Sequence, residues 1–198
     1  MQPTTTPSSP ASPRMAPLAL EQMTDAQRAA ADALIAGPRK GVKGPFIALL
    51  RSPALLDRVA ALGEFLRFSS SLSRRTSEFA TLVVSRFYSQ QFEWFTHVPL
   101  ALAAGTAPET IAALREGRRP TTMDDEETLV HDLATEVLQH HGVADATYAR
   151  AMQHFGEAGV VELTSLIGYF AMVSWVLNVA RIPEEANAAV QRLDPFPR

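Results

Sequence analysis

Three side chains in this sequence are suited to moving protons: Glu78, Glu93 and His97. Glu93 and His97 stand at i and i+4, so on a helix they share one face, a turn apart. Glu78 precedes them in what reads as a separate helix, and two helices meeting at a short break let both carboxyls and the imidazole converge. General acid–base chemistry needs such a trio. Burial raises a carboxyl's pKa and a neighbouring carboxylate raises an imidazole's, so that both titrate nearer neutrality.

The stretch SRRTSEFATLVVSRFYSQQFEWFTHVPLALAAG, residues 73–105, supplies both helices. Ser73 caps the first. Phe79, Leu82, Val83, Val84 and Phe87 form its broad apolar face, and Glu78 lies at the margin, where a carboxylate needs a partner or a function. An i, i+4 ion pair with Arg74 is the plain structural use of Glu78. Ser89 or Gln90 opens the second helix. Pro99 removes a backbone donor within it, which places a kink or a fresh helix start beside the Glu93–His97 turn. Trp94 suits the core or a subunit interface, with substrate stacking as its other use.

Around this pair the chain reads as helices throughout. Residues 1–17 are rich in Pro, Ser and Thr and should stay disordered, leaving 18–198 as one domain. They lack the apolar core of a secretory signal, so a cytoplasmic location is expected. Thr24 with Gln27 forms a capping box for a helix through Ile35, and RKGVKGP follows as a basic connector without the spacing of a phosphate loop. Ser52-Pro53 starts a helix with Leu55, Leu56, Val59, Leu62 and Leu66 at helical spacing. Thr106 with Glu109 reads as a second capping box, and Asp124 with Glu127 opens a helix that His140 and His141 close. A further helix starts near Asp145. The apolar run Val160–Ala180 has the length of a membrane span, yet Glu162, Ser174 and Asn178 interrupt it, so it reads as a central buried helix in which Gly168 allows another backbone to approach. A short helix is expected from Glu184 to Leu193.

Composition removes several classes of function. There is no cysteine among the 198 residues, hence no disulfide, no thiolate metal site and no thiol nucleophile. A formal net charge of -3 gives no basis for a nucleic-acid surface. The histidines outside the 73–105 stretch lack the spacing of a metal site, and no metal is expected.

Glu78, Glu93-Trp94, His97, Ala101 and Ala104-Gly105, taken together, resemble the carboxymuconolactone decarboxylase family. A fainter likeness runs from about Gly41 through Asn178, including GVKGPFIALLRSP and FGEAGVVELTSLIGYF. The resemblance implies an all-α, multi-helix bundle of the alkylhydroperoxidase D-like type, assembled as a homo-oligomer, commonly a trimer or hexamer. The redox branch of that family carries Cys-x-x-Cys, which in register with Glu78 and His97 would fall at Gln90 and Glu93. This chain therefore resembles a cysteine-less branch, and thiol-dependent peroxide consumption is not expected of it.

By the same resemblance the activity is that of a lyase or isomerase acting on a small carboxylated lactone or related acid, in a setting such as aromatic-compound degradation. Loss of carbon dioxide leaves an enolate to be stabilised and a carbon to be protonated. On this reading His97 donates the proton, Glu93 orients it, and Glu78 is the second acid or base. Arg75 or Arg86 holds the substrate carboxylate, with Trp94 as a further contact. No metal or organic cofactor is called for. The competing expectation is a ligand-binding or assembly protein that keeps the scaffold without the chemistry.

Overall fold

The computed structural model describes residues 12–194. Among these residues are eight α-helices and no strand: α1 (Asp25–Ala36), α2 (Pro45–Leu49), α3 (Pro53–Phe68), α4 (Arg74–Phe87), α5 (Gln91–Ala103), α6 (Pro108–Arg115), α7 (Asp125–His140) and α8 (Asp145–Ala180). The fold is an all-α bundle.

Its axis is α4, which packs against α3, α5, α6, α7 and α8. Every residue from Thr76 through Arg86 is buried. A helix buried all round must satisfy its polar side chains locally. Thr81 and Ser85 do so by donating to the carbonyls of Ser77 and Thr81, one turn back, at 2.8 and 2.7 Å. Ser73 accepts from the amide of Thr76 and fixes where the helix begins.

The central position expected for the apolar run belongs to α4 instead. Within α8 the backbone breaks at Gly156 (φ 68°, ψ 178°), dividing it into two rods. Taken as a whole, α8 is long and apolar enough to cross a membrane by length and composition, and half of its most apolar stretch is buried. Two of its polar interruptions have partners, since Glu162 accepts from the amide and hydroxyl of Ser71 and Asn178 accepts from the side-chain amide of Gln90 at 2.7 Å, while the buried hydroxyl of Ser174 has none among the described residues. Trp175 and Val179 remain 54% and 61% exposed. The close approach expected at Gly168 is absent, with nothing near a side chain added there.

Several boundaries differ from the sequence expectation for identifiable reasons. No helix forms between Glu184 and Leu193. The polar groups of that segment pair with the bundle instead, for the Leu193 amide donates to Gln91 and the Gln191 carbonyl accepts from Trp94. Helix α6 begins at Pro108 with Ala107 as its cap residue, so Thr106 lies outside it and is buried. Leu55 and Leu62 face outward at 49% and 45%, while Leu56, Val59 and Leu66 carry the packing of α3. Of the tail, residues 1–11 lie outside the described residues. Arg14 and Met15 both donate to the carbonyl of Ala180, tying that part of the tail to the end of α8.

Candidate active site

The break between α4 and α5 is what brings the acid–base trio together. Gln90 caps α5 by accepting from the amide of Phe92 at 2.8 Å, and its amide group reaches Asn178. Gln90 stands where the redox relatives are expected to carry their first cysteine, and here its side chain anchors the helix start. Glu93 then falls in the first turn of α5, where the positive end of the helix favours a carboxylate. His97 follows one turn later on the same face.

The imidazole of His97 is held on both sides. Its Nδ1 lies 2.6 Å from Oε2 of Glu78, and its Nε2 lies 3.3 Å from Oε2 of Glu93. All three residues are nearly inaccessible, at 2% for His97, 3% for Glu78 and 4% for Glu93. The ring of Phe170 meets the imidazole edge to face at 5.1 Å. Arg74 also approaches Glu78, at 3.6 Å, so the plain ion pair and the imidazole contact use the two oxygens of one carboxylate.

Burial alone would lower the pKa of His97. Hydrogen bonds to Glu78 and Glu93 outweigh it and hold the ring above its ordinary value. For Glu78 burial works upward, and is overcome by the hydrogen bond from His97, the charge on that ring, and the charges of Arg67 and Arg74, so that the carboxyl is held below its ordinary range. The pair is thus tuned toward imidazolium and carboxylate.

One side of this trio opens on a cavity of about 300 Å³. Glu93 and His97 line it, whereas Glu78 sits behind His97 and does not. Phe92, Phe170 and Val173 give the cavity an apolar wall, and Arg39, Lys43, Arg67 and Tyr169 give it a polar one. A space of this size suits a small organic molecule.

The two arginines expected to bind a carboxylate are elsewhere. Arg75 pairs with Asp124 and lies 3.7 Å from Glu127, joining the start of α4 to the start of α7. Arg86 is buried toward the far end of α4 and donates to the carbonyl of Asp194 at 2.5 Å. Trp94 is 1% exposed, with its indole N–H donating to the carbonyl of Gln191 at 2.9 Å, which makes it a core residue. None of the three lines the cavity.

The cavity wall carries Arg67, Arg39 and Tyr169 instead. The sequence pattern singles out nothing at Arg67, and Arg39 and Lys43 fall in the basic connector RKGVKGP. One signal could have pointed to Tyr169. Gly63 lies inside α3, where glycine weakens a helix unless something requires its missing side chain. A Cβ at Gly63 would overlap the hydroxyl and ring of Tyr169.

Comparison with solved structures places the architecture among the alkylhydroperoxidase D-like helical folds. An uncharacterized peroxidase-related protein from Silicibacter sp. TM1040 superposes with a TM-score of 0.70 at 16% identity, covering 94% of this chain and 97% of its own. A second, from Ralstonia eutropha JMP134 and described as an alkylhydroperoxidase AhpD core, gives 0.70 at 14% identity, with 87% and 92% covered. A protein of unknown function from Agrobacterium tumefaciens, for which an antioxidant defence role as AhpD has been suggested, gives 0.60 at 20% identity, with 70% and 96% covered. No curated protein matches the sequence significantly. Residues 53–136, which contain Glu78, Glu93 and His97, match the model of the carboxymuconolactone decarboxylase family.

Proposed function

We propose that the chain is an acid–base enzyme, a lyase or isomerase that acts on a small carboxylated lactone or a related acid in the cavity beside His97. The observation that carries this reading is the imidazole itself: buried, bonded by a carboxylate at each nitrogen, and forming part of the wall of a ligand-sized space. A charged imidazole is costly to bury unless paired, and a paired one beside a cavity is a proton held ready for transfer.

The geometry supports a different division of labour from the one spacing suggested. Glu78, shielded from the cavity, orients His97 and sustains its charge, while Glu93 faces the cavity and shares the Nε2 proton. In a decarboxylation the bond to the carboxylate carbon breaks, its electron pair passes into the conjugated carbonyl, carbon dioxide leaves, and the His97–Glu93 pair returns a proton to carbon. In an isomerisation the same pair removes a proton from one carbon and delivers it to another. Neither route calls on a metal or organic cofactor.

Thiol peroxidase chemistry, which the descriptions of the structural relatives bring to mind, has no thiol to run on in this chain. The same reading takes the protein as a cytoplasmic homo-oligomer, a trimer or hexamer, and the exposed Trp175 and Val179 on α8 and Leu55 on α3 support it. The purified protein should be screened against lactone carboxylates and keto acids, reading carbon dioxide release and solvent proton exchange separately. Exchange with at least one of them is expected. Binding without exchange throughout would turn the site into a ligand-binding pocket.

A further inference from the structure

We propose that Arg67, flanked by Arg39 and backed by Tyr169, anchors the carboxylate of whatever ligand fills the His97 cavity, so that the site takes small organic acids over their neutral counterparts. The catalytic meaning of this anchor rests on the acid–base reading above. Its effect on binding does not.

Arg67 occupies the last turn of α3 and forms part of the cavity wall. Its Nε–H has no exposed surface and, among the described residues, no hydrogen-bond partner. Burial lowers the pKa of the guanidinium, and the charges of Glu78 and Glu93 only partly offset this, so the cation stays charged but incompletely solvated. A half-buried cation whose Nε–H is fully enclosed and unused is an unfavourable arrangement in the empty protein. A ligand that brings an acceptor oxygen to that donor removes the penalty. A carboxylate does this best, because its two oxygens match the planar fork of a guanidinium.

The other groups on this wall leave the place to Arg67. Lys43 is already 3.8 Å from Glu185. Arg39 donates to the carbonyl of Ala60 at 3.2 Å and lies over the ring of Phe46, 4.6 Å from its centre, which holds its positive charge at the rim of the cavity. Tyr169 is buried, which raises the pKa of its hydroxyl and keeps it neutral beside the two arginines. Gly63, one turn before Arg67 on α3, is the space into which that hydroxyl fits. The apolar wall of Phe92, Phe170 and Val173 suits the carbon body of a small ring. A ring acid seated this way has its charge on Arg67 and its carbon skeleton along the same cavity that His97 and Glu93 line.

The test titrates benzoate and 2-furoate, and separately benzamide and 2-furamide, into the full chain at pH 7 by calorimetry. At least one acid is expected to bind about tenfold or more tightly than its amide, as loss of a charge-assisted pair implies. Arg67→Met should reduce that preference to about threefold or less. Arg67→Lys, which keeps the charge and the stem but not the fork, should fall between. His97→Gln should retain the preference while losing proton exchange. No binding of either acid, no preference in the wild type, or an unchanged preference in Arg67→Lys or a folded Arg67→Met would overturn the anchor. An acid preference in a wild type that exchanges no protons would uphold the anchor and remove the acid–base reading.

Discussion

Nδ1 of His97 and Oε2 of Glu78 lie 2.6 Å apart across the α4–α5 boundary, nineteen positions apart in the chain. Each member of the pair is buried, so neither charge has water to fall back on and each depends on the other. Glu78→Gln keeps the shape of the side chain and removes its charge. His97 should then titrate at lower pH, because burial is no longer opposed by a full carboxylate on that side. An NMR titration of the imidazole in the two proteins measures this directly. Equal midpoints would mean that Glu78 does not govern the ring.

The same pair gives stability a pH dependence of known sign. His97 is held above its ordinary 6.5, so its contribution is complete below that value and is lost as pH rises through the raised folded pKa. Glu78 is held below its ordinary 4.5, so its contribution is complete above that value and is lost as pH falls through the lowered one. Both are fully present between 4.5 and 6.5. Thermal unfolding of the wild type and of His97→Gln, followed against pH, should show the wild type's advantage greatest in that window and shrinking above it. An advantage that grows toward alkaline pH would contradict the assignment.

Gly44 is the cap residue of α2 at φ 54° and ψ −128°, a conformation open in practice to glycine alone. A Cβ there would also overlap the ring of Phe92, one of the cavity's apolar residues. Gly44→Ala should cost more than about 1 kcal/mol in stability, as strained backbone of this kind does, and should move Phe92. Urea unfolding checks the first effect. A variant as stable as the wild type would show that the α2 entry can be rebuilt without strain.

On the outer side of the bundle, Trp175 and Val179 of α8 and Leu55 of α3 border a shared apolar depression. Covering it with a second copy of the chain is the expected use. Sedimentation should find the protein larger than a monomer, and Trp175→Glu should shift it toward the monomer without loss of helix. A wild type that sediments as a monomer would remove the oligomer from the account.

How much of this could be read from the sequence varies with the range of the forces involved. Caps at Thr24, Ser73 and Asp124 are contacts over three residues, and the side-chain bonds expected there are present. The meeting of Glu78, Glu93 and His97 was legible because helical spacing and a short interhelix break leave little freedom. Arg67, Arg39 and Tyr169 were not legible, since they come from three distant segments and only packing puts them on one wall. The failed Glu184–Leu193 helix has the same origin. Its local pattern favours a helix, but partners on α5 take its polar groups.

The central claim is that the His97–Glu93 pair passes a proton to or from the carbon of a small acid. Deuterium incorporation from D2O into an acid that the wild type turns over, compared in wild type and His97→Gln at matched occupancy, tests it most directly. A loss of about a hundredfold or more in the variant, with the helical spectrum and sedimentation unchanged, is what proton transfer through His97 predicts. Equal incorporation by the two proteins would contradict it.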